Sequence, residues 1–231
     1  MKYRNLIVRF ALTLLLCVGL FATSSSAQTL PFHLDKGAGS FRLGVVHGTE
    51  SQWLDQCHIK QDGVSYLIKD QLWKGGLIRL TICPLVGSNG FIAQVEGERL
   101  PDDLHLCWAF GACDGTERTP ADNLIPTAAS FHNVHSIEGN AFTTYYGESM
   151  RLRVTHGVTP LESEARLADG HQQESPLKLF NSGKKSDAPV IAALTPWKRG
   201  EKLYFCIYQR ADYNYYMLPE VFAEAYKKTV K

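Results

Sequence analysis

Carboxylates are the first side chains to weigh for chemistry, because glycoside cleavage ordinarily places two of them across the scissile bond. Glu162, Glu164 and Asp169 cluster in Thr159-Pro-Leu-Glu-Ser-Glu-Ala-Arg-Leu-Ala-Asp169. On a strand Glu162 and Glu164 share a face, about 6.5 to 7 Å apart along the chain. A solvated acidic edge paired with Arg166 gives the same pattern, and no catalytic residue is assigned. Gly147-Glu-Ser149-Met-Arg151 opens like a nucleophile elbow, but Arg151 stands where the second glycine is needed, and no strand-to-helix turn surrounds it. His132 and His135 have the i, i+3 spacing that binds metal from a helix, whereas a strand sends them to opposite sides. The remaining histidines, among them His47, His58, His105, His156 and His171, are scattered, and no Cys-x-x-Cys spacing offers a zinc site. Neither metal nor cofactor is expected.

Aromatic side chains point more clearly to binding. Trp73 and Trp197 flank turns, in Leu72-Trp-Lys-Gly-Gly76 and Thr195-Pro-Trp-Lys-Arg-Gly200. An exposed indole beside a turn can stack its apolar face on a sugar ring, so Trp73 and Trp197 are the candidate carbohydrate contacts. The competing reading folds each ring down over a sheet edge. Trp108 sits in an apolar register and reads as core.

The elements that would position these residues are strands. Between Val64 and Gly111, short runs alternate in character and are separated by turns at Gly75-Gly76, Gly87-Ser-Asn-Gly90 and Leu100-Pro-Asp-Asp103. Ile78, Leu80 and Ile82 share one face; Leu104, Leu106, Trp108 and Phe110 share another. A period of two marks strands with one buried face, and such turns join them into an antiparallel meander. Upstream, Phe41, Leu43 and Val45 align on a strand, and Gln52–Lys60 reads as a further one. Downstream, strands are expected at Phe131–Val134, Ala141–Thr144 and Met150–Val154. Leu161–Asp169 reads as a bent strand or short helix, and Leu177–Phe180 as a possible strand. Val190–Leu194 and Lys202–Gln209 read as a final hairpin. From Pro219 a helix begins, with Phe222, Ala225, Tyr226 and Thr229 on one face; Tyr213, Tyr215 and Tyr216 are expected to pack its junction with the sheet. The fold class is all-β, a large antiparallel β-sandwich of supersandwich type with a C-terminal linker helix.

The meander also carries a resemblance. Gly76-Leu-Ile-Arg-Leu-Thr, Gly90-Phe-Ile-Ala-Gln-Val-Glu and, most specifically, Leu106-Cys-Trp-Ala-Phe-Gly111 are similar to an N-terminal β-sandwich domain of uncharacterised function. That domain is found in secreted Bacteroides-type proteins, ahead of a six-hairpin helical barrel like that of glycoside hydrolases. The resemblance implies that the acid and base of a glycosidase belong to the barrel and that the sandwich is non-catalytic. It also implies that the terminal helix leads toward such a barrel, so that the chain is the front of a longer protein or a truncated product; an ordinary terminal helix packed on the sheet is the alternative.

Composition adds the compartment. Among 231 residues, 45% are hydrophobic and the net charge is +1, so neither nucleic acid nor an anionic membrane is implied as a partner. Lys2, Arg4 and Arg9 precede the apolar stretch Phe10–Ala22, and Ser25-Ser-Ala27 offers a cleavage site. Residues 1–27 therefore read as a signal peptide, 28–218 as the sandwich and 219–231 as the linker helix, placing the mature chain in the periplasm or outside the cell. Its five remaining cysteines read as packing residues, with one disulfide, Cys107 or Cys113 to another cysteine, as the alternative. The expected function is non-catalytic support of carbohydrate processing, with a carbohydrate and a helical-barrel domain or partner chain as partners. The alternatives are a free-standing carbohydrate-binding module and a structural, protein-binding sandwich.

Overall fold

A computed structural model describes residues 29–117, 124–148, 150–183, 186–209 and 217–230. The expected leader, residues 1–27, and Tyr213, Tyr215 and Tyr216 lie outside the described residues. Along the chain the strands are β1 (His33–Leu34), β2 (Gly39–His47), β3 (Glu50–Trp53), β4 (His58–Asp62), β5 (Ser65–Lys69), β6 (Leu77–Pro84) and β7 (Gly90–Glu98). They continue as β8 (Leu104–Gly111), β9 (Val134–Glu138), β10 (Ala141–Tyr146), β11 (Arg153–Val158), β12 (Glu164–Asp169), β13 (Pro189–Pro196) and β14 (Lys202–Tyr208). Two helices follow the same order, α1 (Pro176–Phe180) and α2 (Leu218–Thr229).

The strands make two antiparallel sheets. One has the order β1-β2-β8-β13-β12, with β3 also on β2; the other runs β4-β5-β6-β7-β14-β11-β10-β9. The core lies between them, and its inward residues are those that the period of two selects. Ile78, Leu80 and Ile82 meet Phe41, Leu43, Leu106, Trp108 and Phe110 from the facing sheet. Trp108 is buried and stacks at 6.1 Å on Phe41 and at 5.8 Å on Phe142.

The strand partners differ from expectation in three places. The meander holds for β5, β6 and β7, but β8 crosses to the other sheet and pairs with β2 and β13. Its faces explain this. Large residues, Leu104, Leu106, Trp108 and Phe110, fill the core, while Cys107, Ala109 and Gly111 on the opposite face are buried as well. A strand apolar on both sides belongs in the middle of a covered sheet. The small outward residues let α1 and the loop around Ile125 pack close. Second, Gln52–Lys60 is not one strand: a 3-10 turn at Leu54–Gln56 carries the chain from β3 in one sheet to β4 in the other. Third, β13 and β14 do not pair, because the turn at Lys198-Arg-Gly200 also joins the two sheets.

Leu177–Phe180 belongs to α1 rather than to a strand. Ser175 caps it by accepting from the Lys178 N–H at 3.2 Å, Pro176 occupies the first turn, and Leu179 and Phe180 are buried. Strands β9 and β11 start later than expected, leaving Phe131 and Met150 exposed. Helix α2 covers the outer face of the eight-stranded sheet, where Leu218, Phe222 and Ala225 meet Cys83, Ile92 and Cys206. Tyr226, expected on the contact face, is 41% exposed. All five described cysteines are free and buried, and burial raises the thiol pKa of Cys57, Cys83, Cys107, Cys113 and Cys206. Phe222→Asp should release α2, because it puts a charge into that contact. Reaction of Cys83 with a thiol reagent should then be faster than in the native chain at equal temperature.

His135 ties the sheets together at the β9 edge. Its ring lies 2.8 Å from the Thr144 hydroxyl on β10 and 3.1 Å from the Pro189 carbonyl on β13. Burial disfavours the charged ring and lowers its pKa against the opposing effect of the Pro189 carbonyl. The unfolded chain therefore takes up this proton first as the pH falls. Stability should decline once the pH drops below about 6.5, the ordinary histidine value, and the decline should end below the lowered native value. Melting temperatures at pH 7.5 and 5.5 should differ less in His135→Gln than in the native chain. Part of the slope should survive, because burial also lowers the pKa of His156.

Candidate functional site

At one end of the sandwich β2 stops at His47 opposite the start of β8 at Leu104, and β7 stops at Glu98 opposite the start of β6 at Leu77. Strand β13 stops at Pro196 opposite His105, and the Trp197 N–H donates to the Leu104 carbonyl at 3.2 Å. The turns that carry Trp73 and Trp197 are both brought to this end. The two tryptophans are 124 residues apart in the chain.

The rings themselves turn inward. Trp73 is fully buried in the core, and Trp197 is 5% exposed, with its indole N–H donating to the Glu201 carbonyl at 3.1 Å. Neither presents a face to solvent, so neither Trp73 nor Trp197 is placed to stack on a sugar ring. The Trp73 indole nitrogen is buried with no hydrogen-bond partner among the described residues.

Three adjoining depressions mark this surface. The first, of about 750 Å³, is lined by His47, Glu50, Gln52, Gln71, Leu72 and Pro101 among others. The second, of about 680 Å³, is lined by His58, Lys69, Lys74 and Arg99 around Gly75 and Gly76. They share Asp70, Gln71 and Lys74, so the 3-10 turn Gln71–Trp73 is the wall between them. A narrow third cleft runs from Arg99 and Pro101 to the Trp197–Gly200 turn. That turn has reason to exist: Asp70 accepts from the Leu72 N–H at 2.9 Å, and Trp73 anchors it from below.

The side chains here both donate and accept. Gln52, Gln71, Lys74 and Arg99 donate; Glu50 and the glutamine carbonyls accept. Leu72 and Pro101 supply apolar surface. His47 Nε2 lies 2.9 Å from an Asp103 carboxylate oxygen at the rim. A shallow surface of this composition suits a ligand with many hydroxyls, which needs donors and acceptors in close alternation.

Of the acidic residues, Glu162 and Glu164 are held in ion pairs, and Asp169, at the other end of β12, accepts from the Ser186 hydroxyl at 2.6 Å and the His171 N–H at 3.0 Å. Glu162 pairs with Lys198 at 2.7 Å, and Glu164 pairs with Arg166. Glu162 precedes β12, which begins at Glu164, so the two do not share a strand face. Ser149 lies outside the described residues. Among the described residues, no group of three or more His, Cys, Asp or Glu is placed to hold a metal ion, and no helix is long and apolar enough to cross a membrane.

Sequence reasoning missed a buried polar node on the outer face of the six-stranded sheet. Arg42 makes two bonds to Asp55, at 3.0 and 3.2 Å, and donates to the Gln173 carbonyl at 3.2 Å. Trp53 donates to the same carbonyl at 2.8 Å, with the Arg42 guanidinium 4.2 Å from its ring centre. The Gln173 side chain bonds the backbone of Ile125 in both directions and the Gly170 carbonyl. This node clamps two long loops onto the sheet, and it opens onto none of the three depressions.

A family model described as a domain of unknown function, DUF4450, matches residues 35–226. No curated protein matches the chain. Among solved structures, the chain is similar to a bacterial glucoamylase complexed with acarbose at 12% identity and a TM-score of 0.45, over 82% of this chain and 31% of that one. It is also similar to a "putative kojibiose phosphorylase from human microbiome" at 8% identity and a TM-score of 0.38, over 82% of this chain and 25% of that one. The chain thus spans about a third of the first and a quarter of the second.

Proposed function

We propose, for a chain that belongs to the DUF4450 family of domains of unknown function, a role as a non-catalytic β-sandwich that supports carbohydrate processing by holding a saccharide at the end formed by the Gln71–Trp73 turn. The row of depressions that share Asp70, Gln71, Lys74, Arg99 and Pro101 is the single observation that carries this reading. The class of ligand comes from the mixed donor and acceptor lining and from the sequence resemblance to sandwich domains that precede glycosidase-like barrels. The layout of residues 1–27 supports export, and a helical-barrel domain is the partner the resemblance favours. The sandwich would present the sugar and leave bond cleavage to that partner.

The test is retention of the chain on an immobilised glycan panel. Gln71→Ala should weaken binding about tenfold, the order expected for losing one or two ligand hydrogen bonds. The melting temperature should stay unchanged, because Gln71 is exposed. Absence of retention on every glycan would refute the binding role. Turnover of aryl glycosides by the chain, abolished by Glu164→Gln, would refute the non-catalytic one.

A further inference from the structure

The second depression differs from its neighbours in charge. Lys69, Lys74 and Arg99 line it with His58, and Asp70 is its one carboxylate. Asp70 is turned toward the protein: it accepts the Leu72 N–H at 2.9 Å, and its charge helps burial to raise the pKa of the Cys57 thiol, which donates to the Trp53 carbonyl at 3.2 Å. Elsewhere at this end the cations are spent. Lys198 pairs with Glu162, Arg199 with Asp102, and Lys202 with Glu96. Among the described residues, Lys69, Lys74 and Arg99 have no such partner, so uncompensated positive charge gathers around Gly75 and Gly76 in a chain whose net charge is only +1. The backbone holds this arrangement open: Gly75 has φ +77°, and Arg99 itself has φ +54°, an unfavoured conformation for a side-chain-bearing residue. A neutral sugar needs donors from these side chains but gains nothing from their full charges.

From this we infer that the second depression selects an anionic saccharide, with a carboxylate or sulfate group seated among Lys69, Lys74 and Arg99 and the neutral rings extending over Gln71 toward Gln52. The inference rests on the saccharide-holding role proposed above and adds its substrate class. Lysine supplies a point charge and arginine a planar fork, so a carboxylate or sulfate can be met by two donors from Arg99 and one from a lysine. Because all three cations are exposed, the attraction weakens as salt rises.

The test titrates the full chain calorimetrically with three probes: an oligogalacturonate hexamer, which carries only carboxylates, a carrageenan hexasaccharide, which carries only sulfates, and maltohexaose. At least one anionic probe should bind roughly tenfold more tightly than maltohexaose at low salt, the scale set by two or three exposed charge pairs. The anionic preference should disappear in the Lys69→Gln, Lys74→Gln double variant and in Arg99→Gln, the anionic probes losing about tenfold more affinity than maltohexaose. Lys36→Gln, at the opposite end of β2, should leave the preference intact. Whether the carboxylated or the sulfated probe is preferred identifies the group. Equal affinity for all three probes would overturn this inference while leaving the saccharide-holding role standing. Failure of both anionic probes to bind would overturn this inference, whereas the saccharide-holding role falls only if the glycan panel also shows no retention. A preference that survives the Lys69/Lys74 and Arg99 variants would place the anion elsewhere and overturn the inference alone.

Discussion

Arg42→Ala should cost about 3–5 kcal/mol, the scale for breaking a buried ion pair from one side. Arg42 and Asp55 are 3% and 6% exposed, so removing the guanidinium leaves a carboxylate with neither partner nor water. The Gln173 carbonyl loses one of its donors, and Trp53 loses the cation beside its ring. At about 2–4 °C per kcal/mol for a domain of this size, the melting temperature should fall by about 6–20 °C. Asp55→Ala should be comparably damaging. The combined Arg42→Met, Asp55→Leu variant should be less damaging than either single change, since no charge is then stranded. Thermal denaturation of the four proteins decides this, and a loss under about 1 kcal/mol in Arg42→Ala would mean that the pair is not desolvated in solution.

Trp73→Ala should also be severe, at about 3–5 kcal/mol for emptying a large aromatic site in the core. Its indole is fully buried, and it supports the turn that separates the two larger depressions. Trp73→Phe should cost much less. It keeps most of the apolar volume and removes an N–H that has no partner, and an unmet buried donor is itself worth about 1–3 kcal/mol against the fold. Denaturant melts of the two variants separate a core residue from a sugar platform: a platform residue would lose glycan binding in both, with little change in either melt.

Local geometry was legible in the sequence, and pairing was not. Alternation marked the inward side chains of β2, β6 and β8 because each strand's period is its own property. It is silent on which strand lies alongside, and so β8, β13 and β14 were assigned to wrong neighbours. The clue was present in β8, where Cys107, Ala109 and Gly111 make the outward face small and apolar instead of polar; a strand like that needs cover on both sides. Arg42 gave no such clue. It occupies an outward position among Phe41 and Leu43, the pattern of an ordinary surface residue, and its partner Gln173 is 131 residues away. For Trp73 and Trp197, the turns lie at one end of the molecule, but the direction of a ring beside a turn depends on the depth of the core beneath it, which sequence spacing does not encode. Lys69 ends β5 and Lys74 follows in the β5–β6 connection, while Arg99 comes from the β7–β8 turn, so folding brings Arg99 to the other two.

The most direct test of a saccharide-holding sandwich is an amide-resolved NMR titration of the isotopically labelled chain with the oligosaccharide that binds it best. The account predicts saturable shifts concentrated at residues 47–52, 69–76 and 97–101, with the core strand β8 silent from Cys107 onward. Shifts centred instead on the opposite end, around Gly37, Asn89 and Gln209, or no saturable shifts with any bound glycan, would contradict it.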